Sequence, residues 1–571
     1  MRTFMEDLKS RIEQKKKLID VAAGRVPAEL VLKDAQYVNV YSGELLRGDI
    51  AIEGGRIAGV GSYAGRQELH PEGIVCPGLM DAHIHLESSL VSPAEFVKAV
   101  VPHGTTAVVT DPHEITNVMG TDGIEFMLQA TAGLPLDVFF MLPSCVPSTP
   151  LDEAGAELDW QAIDRFYENP RVLGLAEMMN AFGVVHNDEA VLAKIAAAEA
   201  HGKCVDGHAP GLSGSELSAY VGAGVGSDHE CSDPGEAMEK LRRGQYIMIR
   251  DGTAARNLEA LAPLLHGRAA ERCLLCTDDK HPIDLLEKGH IDYILRQAVR
   301  FGADPIAAVT AATKGCAQYF RLYDRGAVAP GLLADLTVFD DLEHFRVQQV
   351  FKNGRLCYDG TLAEFSAPEI DPALREKAQN TFRVAHIEAA DFAENGMQGI
   401  IGMVPGQIVS TDNGRTDHAD PENDILRIAV IERHHGTGHI GLGYIQGYGL
   451  RRGAVATSIS HDSHNLIVVG ANAEDMAFAA RRIVENRGGI TVVDGGKVLG
   501  EVALEIAGLM SDTDLREVNA RLEAAKDAAY GLGVGRGIDP FMTLSFMSLP
   551  VIPTLRLTTK GMVDVLTQQF V

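Results

Sequence analysis

"PGLMDAHIHLESS" (residues 77–89) follows a run of alternating apolar residues and sets two histidines one residue apart. Side chains on an extended strand repeat with a period of two, so His83 and His85 would point to the same side. Imidazole is a common ligand of metal ions in proteins. The stretch therefore predicts a strand that ends at a metal ion.

Composition limits the class of protein. The chain has 571 residues, of which 46% are hydrophobic and 23% charged, and it contains 59 glycines, as expected of a soluble enzyme with two to four domains. A net charge of −27 argues against a nucleic-acid surface. The sequence shows neither an apolar signal core nor a run of roughly 18 apolar residues, so we expect no membrane segment.

Cysteine usage predicts a cytoplasmic protein. Eight cysteines are scattered along the chain, which fits reduced thiols better than a disulfide framework. Cys273 and Cys276 form a C-x-x-C, but "CLLC" lies in an apolar, strand-like run with no second pair to complete a zinc site. We expect both to be buried core thiols.

The pattern of apolar residues and glycines along the chain predicts four regions. Residues 1–27 predict a charged helical segment, with Leu8, Ile12 and Ile19 as its apolar contacts. Short strands broken by glycine pairs predict an antiparallel β unit, and a matching stretch recurs far downstream. A Gly-rich region of mixed α/β pattern completes the chain. The predicted boundaries are 28–78 with 324–365 for the β domain, 79–323 for the catalytic region and 366–571 for the C-terminal domain.

The region 79–323 alternates strand-like and helix-like runs, which predicts a (β/α)₈ TIM-type barrel. Polar residues gather where each strand gives way to its loop, the face on which such barrels carry their active sites. The eight candidate strand ends are "DAHIH", "AVVTDPHE", "VFFMLPS", "VLGLAEMM", "CVDGHAP", "GVGSDHE", "QYIMIRDG" and "CLLCTDD".

Six candidate metal ligands occur at five of these strand ends. Imidazole and carboxylate together suit zinc, iron or manganese. Six ligands exceed what one four-coordinate ion needs, so two ions sharing a carboxylate is the more economical interpretation. Taken singly, each has an ordinary alternative, such as a buried acid paired with Arg or Lys. The candidates are His83, His85, Glu177, His208, His229 and Asp278.

These motifs and the flanking β segments resemble the amidohydrolase superfamily of metal-dependent hydrolases. The split β domain is similar to the sandwich that this superfamily builds from both ends of its barrel. Hydantoinases and dihydroorotases of the superfamily bridge their metals through a carboxylated lysine on strand four. Glu177 takes that position here, which departs from their pattern.

Three further stretches resemble the adenine deaminase family within this superfamily: residues 432–472, "TDPHEITNVMG" (110–120) and "FFMLPSCVPST" (139–149). The resemblance implies hydrolysis of adenine to hypoxanthine and ammonia in purine salvage, with the free base preferred over the nucleoside. It also implies two divalent ions, manganese or iron, with zinc compatible. We expect a homodimer or higher homo-oligomer.

The resemblance, together with the chemistry, also implies roles for individual residues. Asp278 would take a proton from the attacking water and pass it to the departing amino group. Glu114 would protonate a ring nitrogen of the purine, although it could instead form a loop salt bridge. Arg250 could contact the purine edge or pair with the neighbouring Asp251. The predicted substrate-binding residues are Ser144, Arg250 and His113.

"SISHDSHN" (458–465) is dense in polar residues and has three possible interpretations. It could form a third metal site, a hydrogen-bonded turn or a lid over the barrel mouth. Strand alternation would place His461 and His464 on opposite sides, which strains a single metal site. The possible lid residues are His461, Asp462 and His464.

Other functions remain open at this point. An N-acetyl-sugar deacetylase or a cyclic amidase could use the same scaffold, because fold does not fix function. A non-catalytic metal-binding protein is disfavoured by the complete ligand set. A deaminase of the cytidine type needs H-x-E with P-C-x-x-C, and the chain contains "HIE" (386–388) without the cysteine motif.

Overall fold

The computed structural model describes residues 2–253, 255–394, 396–404 and 409–571. The chain begins with a long helix, α1 (Arg2–Ala22). Only its last turns contact the first sheet, through Leu18 and Val21. The prediction that Leu8, Ile12 and Ile19 make its apolar contacts is wrong, because these side chains are 39%, 42% and 56% exposed. Among the described side chains of this helix, Leu18 and Val21 belong to the apolar cluster of the sheet, and the other three apolar residues stay largely uncovered.

Five strands follow α1 and form the first part of a β-sheet. Turns at Gly43 and at Gly54–Gly55 have positive φ, which glycine adopts without strain. The strands are β1 (Ala28–Asn39), β2 (Glu44–Glu53), β3 (Arg56–Gly61), β4 (Gly65–Leu69) and β5 (Ile74–Pro77).

The next region, residues 79–323, contains parallel strands separated by helices, and we refer to it as the parallel-strand region. Its strands are β6 (Leu79–His85), β7 (Thr105–Thr110), β8 (Asp137–Leu142), β9 (Val172–Met178), β10 (Cys204–Gly207), β11 (Ser227–Asp228), β12 (Tyr246–Arg250), β13 (Cys273–Cys276) and β14 (Asp278–Asp279). The helices are α2 (Pro93–Val100), α3 (His113–Met119), α4 (Thr121–Ala130), α5 (Trp160–Asp164), α6 (Ala181–Val185), α7 (Glu189–Ala200), α8 (Gly214–Gly222), α9 (Pro234–Arg242), α10 (Leu258–Leu261), α11 (Pro282–Glu287), α12 (Ile291–Arg300), α13 (Pro305–Thr310) and α14 (Cys316–Tyr319).

These strands form a curled parallel half-barrel of six strands, in the order β10-β9-β8-β7-β6-β14, and a parallel sheet β11-β12-β13. A single residue, Thr277, separates β13 from β14, so the chain passes directly from one sheet to the other. At the opposite edges, the Gly226 N–H donates to the Val205 carbonyl at 2.9 Å. The carboxyl ends of the strands consequently share one face, where each of the eight predicted strand ends is found.

Three later strands complete the first sheet: β15 (Leu336–Phe339), β16 (Val347–Lys352) and β17 (Arg355–Tyr358). The sheet order is β17-β16-β15-β5-β1-β2-β3, with β4 beside β1. Because β15 pairs antiparallel with β5, the two separated segments join edge to edge. They therefore make one continuous eight-stranded sheet.

The rest of the chain, which we call the C-terminal region, contains a mixed sheet of eight strands in the order β19-β18-β21-β20-β23-β22-β24-β25. A three-stranded antiparallel sheet, β26-β27-β28, ends the chain. The strands are β18 (Gln398–Met403), β19 (Ser410–Thr416), β20 (Ile425–Ile431), β21 (Ile440–Gln446), β22 (Ala454–Thr457), β23 (Leu466–Gly470), β24 (Gly489–Asp494), β25 (Lys497–Ala503), β26 (Leu555–Thr558), β27 (Gly561–Asp564) and β28 (Gln569–Phe570). The helices are α15 (Pro372–Gln379), α16 (Ala473–Glu485), α17 (Leu515–Gly531) and α18 (Pro540–Ser545).

The C-terminal region packs against the parallel-strand region through one continuous apolar core. Leu90 and Val91, which follow β6, belong to the same buried cluster as Leu509 and Met510. Backbone hydrogen bonds between the loop at Leu90 and Ser511, of 2.8 and 3.0 Å, join the two regions directly. In the part of the chain that the structure describes, no helix combines the length and the apolar character needed to cross a membrane.

Candidate active site

Four of the predicted ligands form one half of a buried cluster at the carboxyl ends of the parallel strands. His85 Nε2 lies 3.3 Å from Glu177 Oε1 and 3.3 Å from Asp278 Oδ1. His83 Nε2 lies 3.8 Å from the same two oxygens. The two histidines of β6 therefore face one point, as their spacing predicts.

The other two ligands meet the second oxygen of Glu177. His208 Nδ1 lies 2.8 Å from Glu177 Oε2, and His229 Nε2 lies 3.3 Å from that oxygen. One Glu177 oxygen thus faces His83, His85 and Asp278 while the other faces His208 and His229. This is the arrangement required of a carboxylate that bridges two cations.

Local structure holds β6 and β14 in register at this cluster. Asp81 accepts hydrogen bonds from the backbone N–H groups of His83, at 3.2 Å, and of Thr277, at 3.1 Å. His85 Nδ1 donates to the Asp111 carbonyl at 3.0 Å, which leaves Nε2 as the nitrogen that faces the cluster. Tautomer and ring orientation are therefore set by the strand that neighbours β6.

The donor set fits divalent metal ions. His83 Nε2 is buried and has no hydrogen-bond partner among the described residues, although it faces the cluster. Several overlapping groups of three or four His, Asp and Glu atoms lie within 4.8 Å of one another here. Nitrogen and carboxylate ligands in a buried site suit zinc, iron or manganese.

Electrostatics favour a cation at the same place. Burial lowers the pKa of His83 well below its usual value, and the neighbouring His229 acts in the same direction. Burial also acts to lower the pKa of His229, but hydrogen bonds to Glu177 and Glu230 outweigh it and raise the value to about 10. The carboxylates thus stabilise positive charge in the cluster.

Asp278 is held as a carboxylate. Burial acts to raise its pKa, but Arg250 and His85 outweigh burial and hold the pKa well below the usual range. Arg250 donates to Asp278 Oδ2 through Nη1 and to Glu230 Oε2 through Nη2, the latter at 2.7 Å. The predicted alternative partner of this guanidinium, Asp251, is paired with Arg256 instead, at 3.4 Å.

Glu114 and His113 begin α3, directly after β7. His113 Nδ1 lies 3.0 Å from Asp111 Oδ2, and its Nε2 lies 3.5 Å from Glu114 Oε1. Burial acts to raise the pKa of Glu114, but His461, His464 and His113 hold it well below the usual range. Glu114 is thus an ionised carboxylate surrounded by imidazoles.

Two of those imidazoles belong to the C-terminal region. His461 Nδ1 lies 3.0 Å from Glu114 Oε1, and His464 Nε2 is hydrogen-bonded to Glu114 Oε2. Residues 461–464 form a turn, and Asp462 Oδ1 lies 4.0 Å from His113 Nε2. The segment "SISHDSHN" is thus a turn, as one interpretation predicts, and it also forms part of the site.

A cavity of about 430 Å³ opens onto the cluster. Polar residues of the cluster line it, together with apolar residues of the C-terminal region such as Phe546 and Leu549. His113 and Arg250 also line the cavity, but Ser144 is not among its lining residues. The Ser144 hydroxyl donates to the Glu177 backbone carbonyl at 2.5 Å and so supports the end of the strand that carries Glu177.

Sequence reasoning missed several residues of the site. Glu230 follows His229 directly in "GSDHE", so a second acid beside a predicted ligand was a signal that could have identified it. The apolar wall could not be predicted from the sequence, because its residues look like any other apolar residues. Their position at the cavity is known only from the packing of the C-terminal region. Besides Phe546 and Leu549, the wall contains Val409, Val551, Ile552 and Pro553.

Two family models match the chain: the amidohydrolase family over residues 74–357 and the adenine deaminase C-terminal domain over residues 407–569. The adenine deaminase of Desulfatibacillum aliphaticivorans is 48% identical, over 97% of this chain and 98% of that protein. This chain belongs to the adenine deaminase family. Another relative, adenine deaminase 2 of Carboxydothermus hydrogenoformans, is 46% identical over 97% of this chain and 98% of its own.

Solved structures resemble the chain over a smaller part. A beta-aspartyl dipeptidase from Fervidobacterium islandicum AW-1 has a TM-score of 0.45 and 14% identity, covering 59% of this chain and 98% of that one. An N-acetyl-D-glucosamine-6-phosphate deacetylase from Mycobacterium smegmatis has a TM-score of 0.44 and 19% identity, covering 58% and 100%.

Proposed function

We propose that this protein hydrolyses adenine to hypoxanthine and ammonia. The observation that carries the proposal is the match to proteins named adenine deaminase along 96–97% of the chain, at 42–48% identity. The match includes the C-terminal region, whose His461 and His464 reach Glu114 in the candidate site. The similarity therefore covers both regions of the chain that line the cavity.

We propose that the cluster holds two divalent ions, manganese or iron, with zinc also compatible. His83, His85 and Asp278 would serve one ion, His208 and His229 the other, and Glu177 would bridge them. Such ions lower the pKa of water toward neutrality and so supply a nucleophile at physiological pH. The two-sided position of Glu177 supports the bridging role.

Asp278 would act as the general base. Its low pKa keeps the carboxylate ionised at neutral pH, ready to accept the proton of the attacking water at Oδ1. The same oxygen would then deliver that proton to the amino nitrogen, which leaves as ammonia. Arg250 binds the other oxygen, Oδ2, and so fixes the orientation of the carboxylate.

Glu114 and His461 would together supply a proton to a ring nitrogen of the purine. Burial acts to lower the pKa of His461, but Glu114 outweighs it and raises the value to about 9. His461 therefore carries a proton at neutral pH, 3.0 Å from Glu114 Oε1. Both residues line the cavity, so the pair can pass this proton to bound substrate.

Substrate binding would involve the apolar wall, His113 and Arg250. Arg250 would contact the purine through Nε–H, which its ion pairs with Asp278 and Glu230 leave unused. The wall offers flat purine faces a water-excluding surface. Residues 461–464 would act as a fixed lid that excludes water from the reacting base. Ser144 would contribute indirectly, through its hydrogen bond to the Glu177 carbonyl.

A sugar-phosphate deacetylase or a cyclic amidase is less well supported. A phosphate-bearing substrate needs a free basic group, and Arg250 is the one Lys or Arg among the described residues lining the cavity. Both arms of its guanidinium are engaged by Asp278 and Glu230. The strand-four position carries Glu177, where the cyclic amidases named above carry a carboxylated lysine.

Several larger features belong to the same proposal. The half-barrel and the sheet β11-β12-β13 would complete an eight-stranded barrel, in which β13 and β14 form one strand interrupted at Thr277. The Gly226–Val205 hydrogen bond between their other edges supports this closure. The four predicted regions would be the domains of the protein. We propose that the protein is a homodimer or higher homo-oligomer. We also propose a cytoplasmic location, which the eight free cysteines support.

The test is a substrate screen with metal-loaded protein. Protein purified with manganese or iron is offered adenine, adenosine, cytosine and N-acetyl sugars, and hypoxanthine, ammonia and acetate are measured. We expect adenine to be turned over fastest. Faster turnover of adenosine or cytosine, or acetate release from a sugar, would overturn the proposal.

A further inference from the structure

A second, smaller cavity lies beside the reaction cavity, between the parallel-strand and C-terminal regions. We call it the side chamber; its volume is about 30 Å³. Glu114, Asp279 and His461 line both cavities, so the two are neighbours. A chamber of this size accommodates a species about as large as one or two water molecules.

Three carboxylates line the side chamber: Glu87, Glu114 and Asp279. Glu87 is 3% exposed, and its Oε1 accepts the Ile115 N–H at 3.2 Å. Its Oε2 is buried and has no hydrogen-bond partner among the described residues. Among the described residues, Asp279 accepts a side-chain hydrogen bond on Oδ1, from Ser88, and none on Oδ2. The chamber therefore contains acceptor oxygens that lack donors.

Positive charge in the side chamber is scarce. Among its described lining residues no Lys or Arg occurs, and much of the remaining wall is apolar, including Leu90, Ile459 and Leu522. Three histidines also line the chamber: His461 and His464 are both paired with Glu114, and burial lowers the pKa of His281 below its usual value. A buried carboxylate is costly unless a cation or hydrogen-bond donors compensate it. The arrangement thus favours a small ligand that is positively charged and donates hydrogen bonds.

We propose that the side chamber binds a small monovalent cation beside Glu87 and Asp279, and that its natural occupant is the ammonium ion. The second part rests on the proposed function, because ammonium is the protonated form of the ammonia which that reaction releases. Its size matches the chamber, and its four N–H donors match oxygens that lack donors. The chamber would hold the product next to the base cavity without occupying it.

The first test asks whether the cation binds, independently of turnover. Crystals of the metal-loaded protein are soaked in rubidium chloride, because rubidium resembles ammonium in size and scatters anomalously. We expect a peak between Glu87 and Asp279 that ammonium chloride displaces and that Glu87→Gln abolishes. The control Glu125→Gln, on α4 away from the chamber, should keep the peak. A wild-type chamber without rubidium overturns the proposal.

The second test uses initial rates with adenine at constant ionic strength. Ammonium chloride should inhibit without competing with adenine, whereas tetramethylammonium chloride, which is too large for the chamber, should not. Glu87→Gln should raise the ammonium inhibition constant about tenfold or more, since it removes a charge-assisted hydrogen bond. An unchanged constant, or equal inhibition by the larger ion, contradicts the proposal. Absence of adenine turnover would refute the proposed function alone, because the rubidium test still decides whether the chamber binds a cation.

Discussion

His464 and Glu114 are hydrogen-bonded to each other although 350 residues separate them in the chain. His464 is 1% exposed and Glu114 is 2% exposed, so the contact is sealed from solvent. One partner begins a helix after the second parallel strand, and the other belongs to a turn of the C-terminal region. The candidate site is therefore completed only when both regions are in place.

His464→Ala removes this contact without touching the metal ligands. We expect adenine turnover to fall about 10- to 100-fold, the range seen when a partner that orients a functional group is lost. Metal content should stay at the wild-type level. His439→Ala, which removes a more exposed contact with Glu153 across the same interface, should keep near-normal turnover. Wild-type kinetics and melting temperature in His464→Ala would show that the turn plays no part in the site.

Glu177→Gln keeps the size of the proposed bridging residue and removes its charge. We expect the protein to lose bound metal, measured by elemental analysis, and to lose at least about 100-fold in turnover, because the metals supply the nucleophile. Glu125→Gln makes the same change of charge on α4 and should retain its metals. Full metal content in Glu177→Gln would rule out bridging.

Asp278→Asn tests the general base. The amide cannot accept the proton of the attacking water, so turnover should fall by about 10²- to 10⁴-fold. The five other ligands should keep most of the metal in place. Near-normal turnover at neutral pH would remove Asp278 from the proposed mechanism.

Asp152 should make stability depend on pH. Burial raises the pKa of its carboxyl to about 7, although the Ser463 hydroxyl donates to it. The folded protein therefore holds this proton more tightly than the unfolded chain. The stabilisation is complete below pH 3.8, the value for the unfolded chain, and is lost as the pH rises through about 7.

Asp152→Asn removes this titration and retains an oxygen that can accept the Ser463 hydrogen bond. The variant should gain melting temperature relative to wild type as the pH rises from 5 to 8, through a contribution on the order of a few kcal/mol at most. Asp527→Asn, at an exposed position of α17, should follow the wild-type pH profile. A parallel profile in Asp152→Asn would show that this carboxyl does not titrate on folding.

The sequence predicted much of the parallel-strand region because its signals are local. The two histidines of β6 share a side owing to strand alternation alone, and a polar residue at a strand end reaches the common face in any parallel sheet. All six predicted ligands accordingly meet in one cluster. Cys273 and Cys276 are buried free thiols, as predicted.

Contacts between regions were not predictable in the same way. Leu8, Ile12 and Ile19 form an apolar pattern, yet whether a helix face is covered depends on where its neighbours lie. The apolar wall at Phe546 and the partnership of Glu114 with His464 depend on docking between surfaces far apart in the chain. Local periodicity carries no information about such docking, which is fixed by shape and burial of both surfaces together.

The distance along the chain between Glu114 and His464 also sets an order of events during synthesis. At 5–20 residues per second, a ribosome would need roughly 20 to 70 s to make the residues between them. During that interval the nascent histidines and carboxylates would face the surrounding water without their cover. Metal ions would have their freest access then, and docking of the last region would afterwards slow their escape from the finished enzyme.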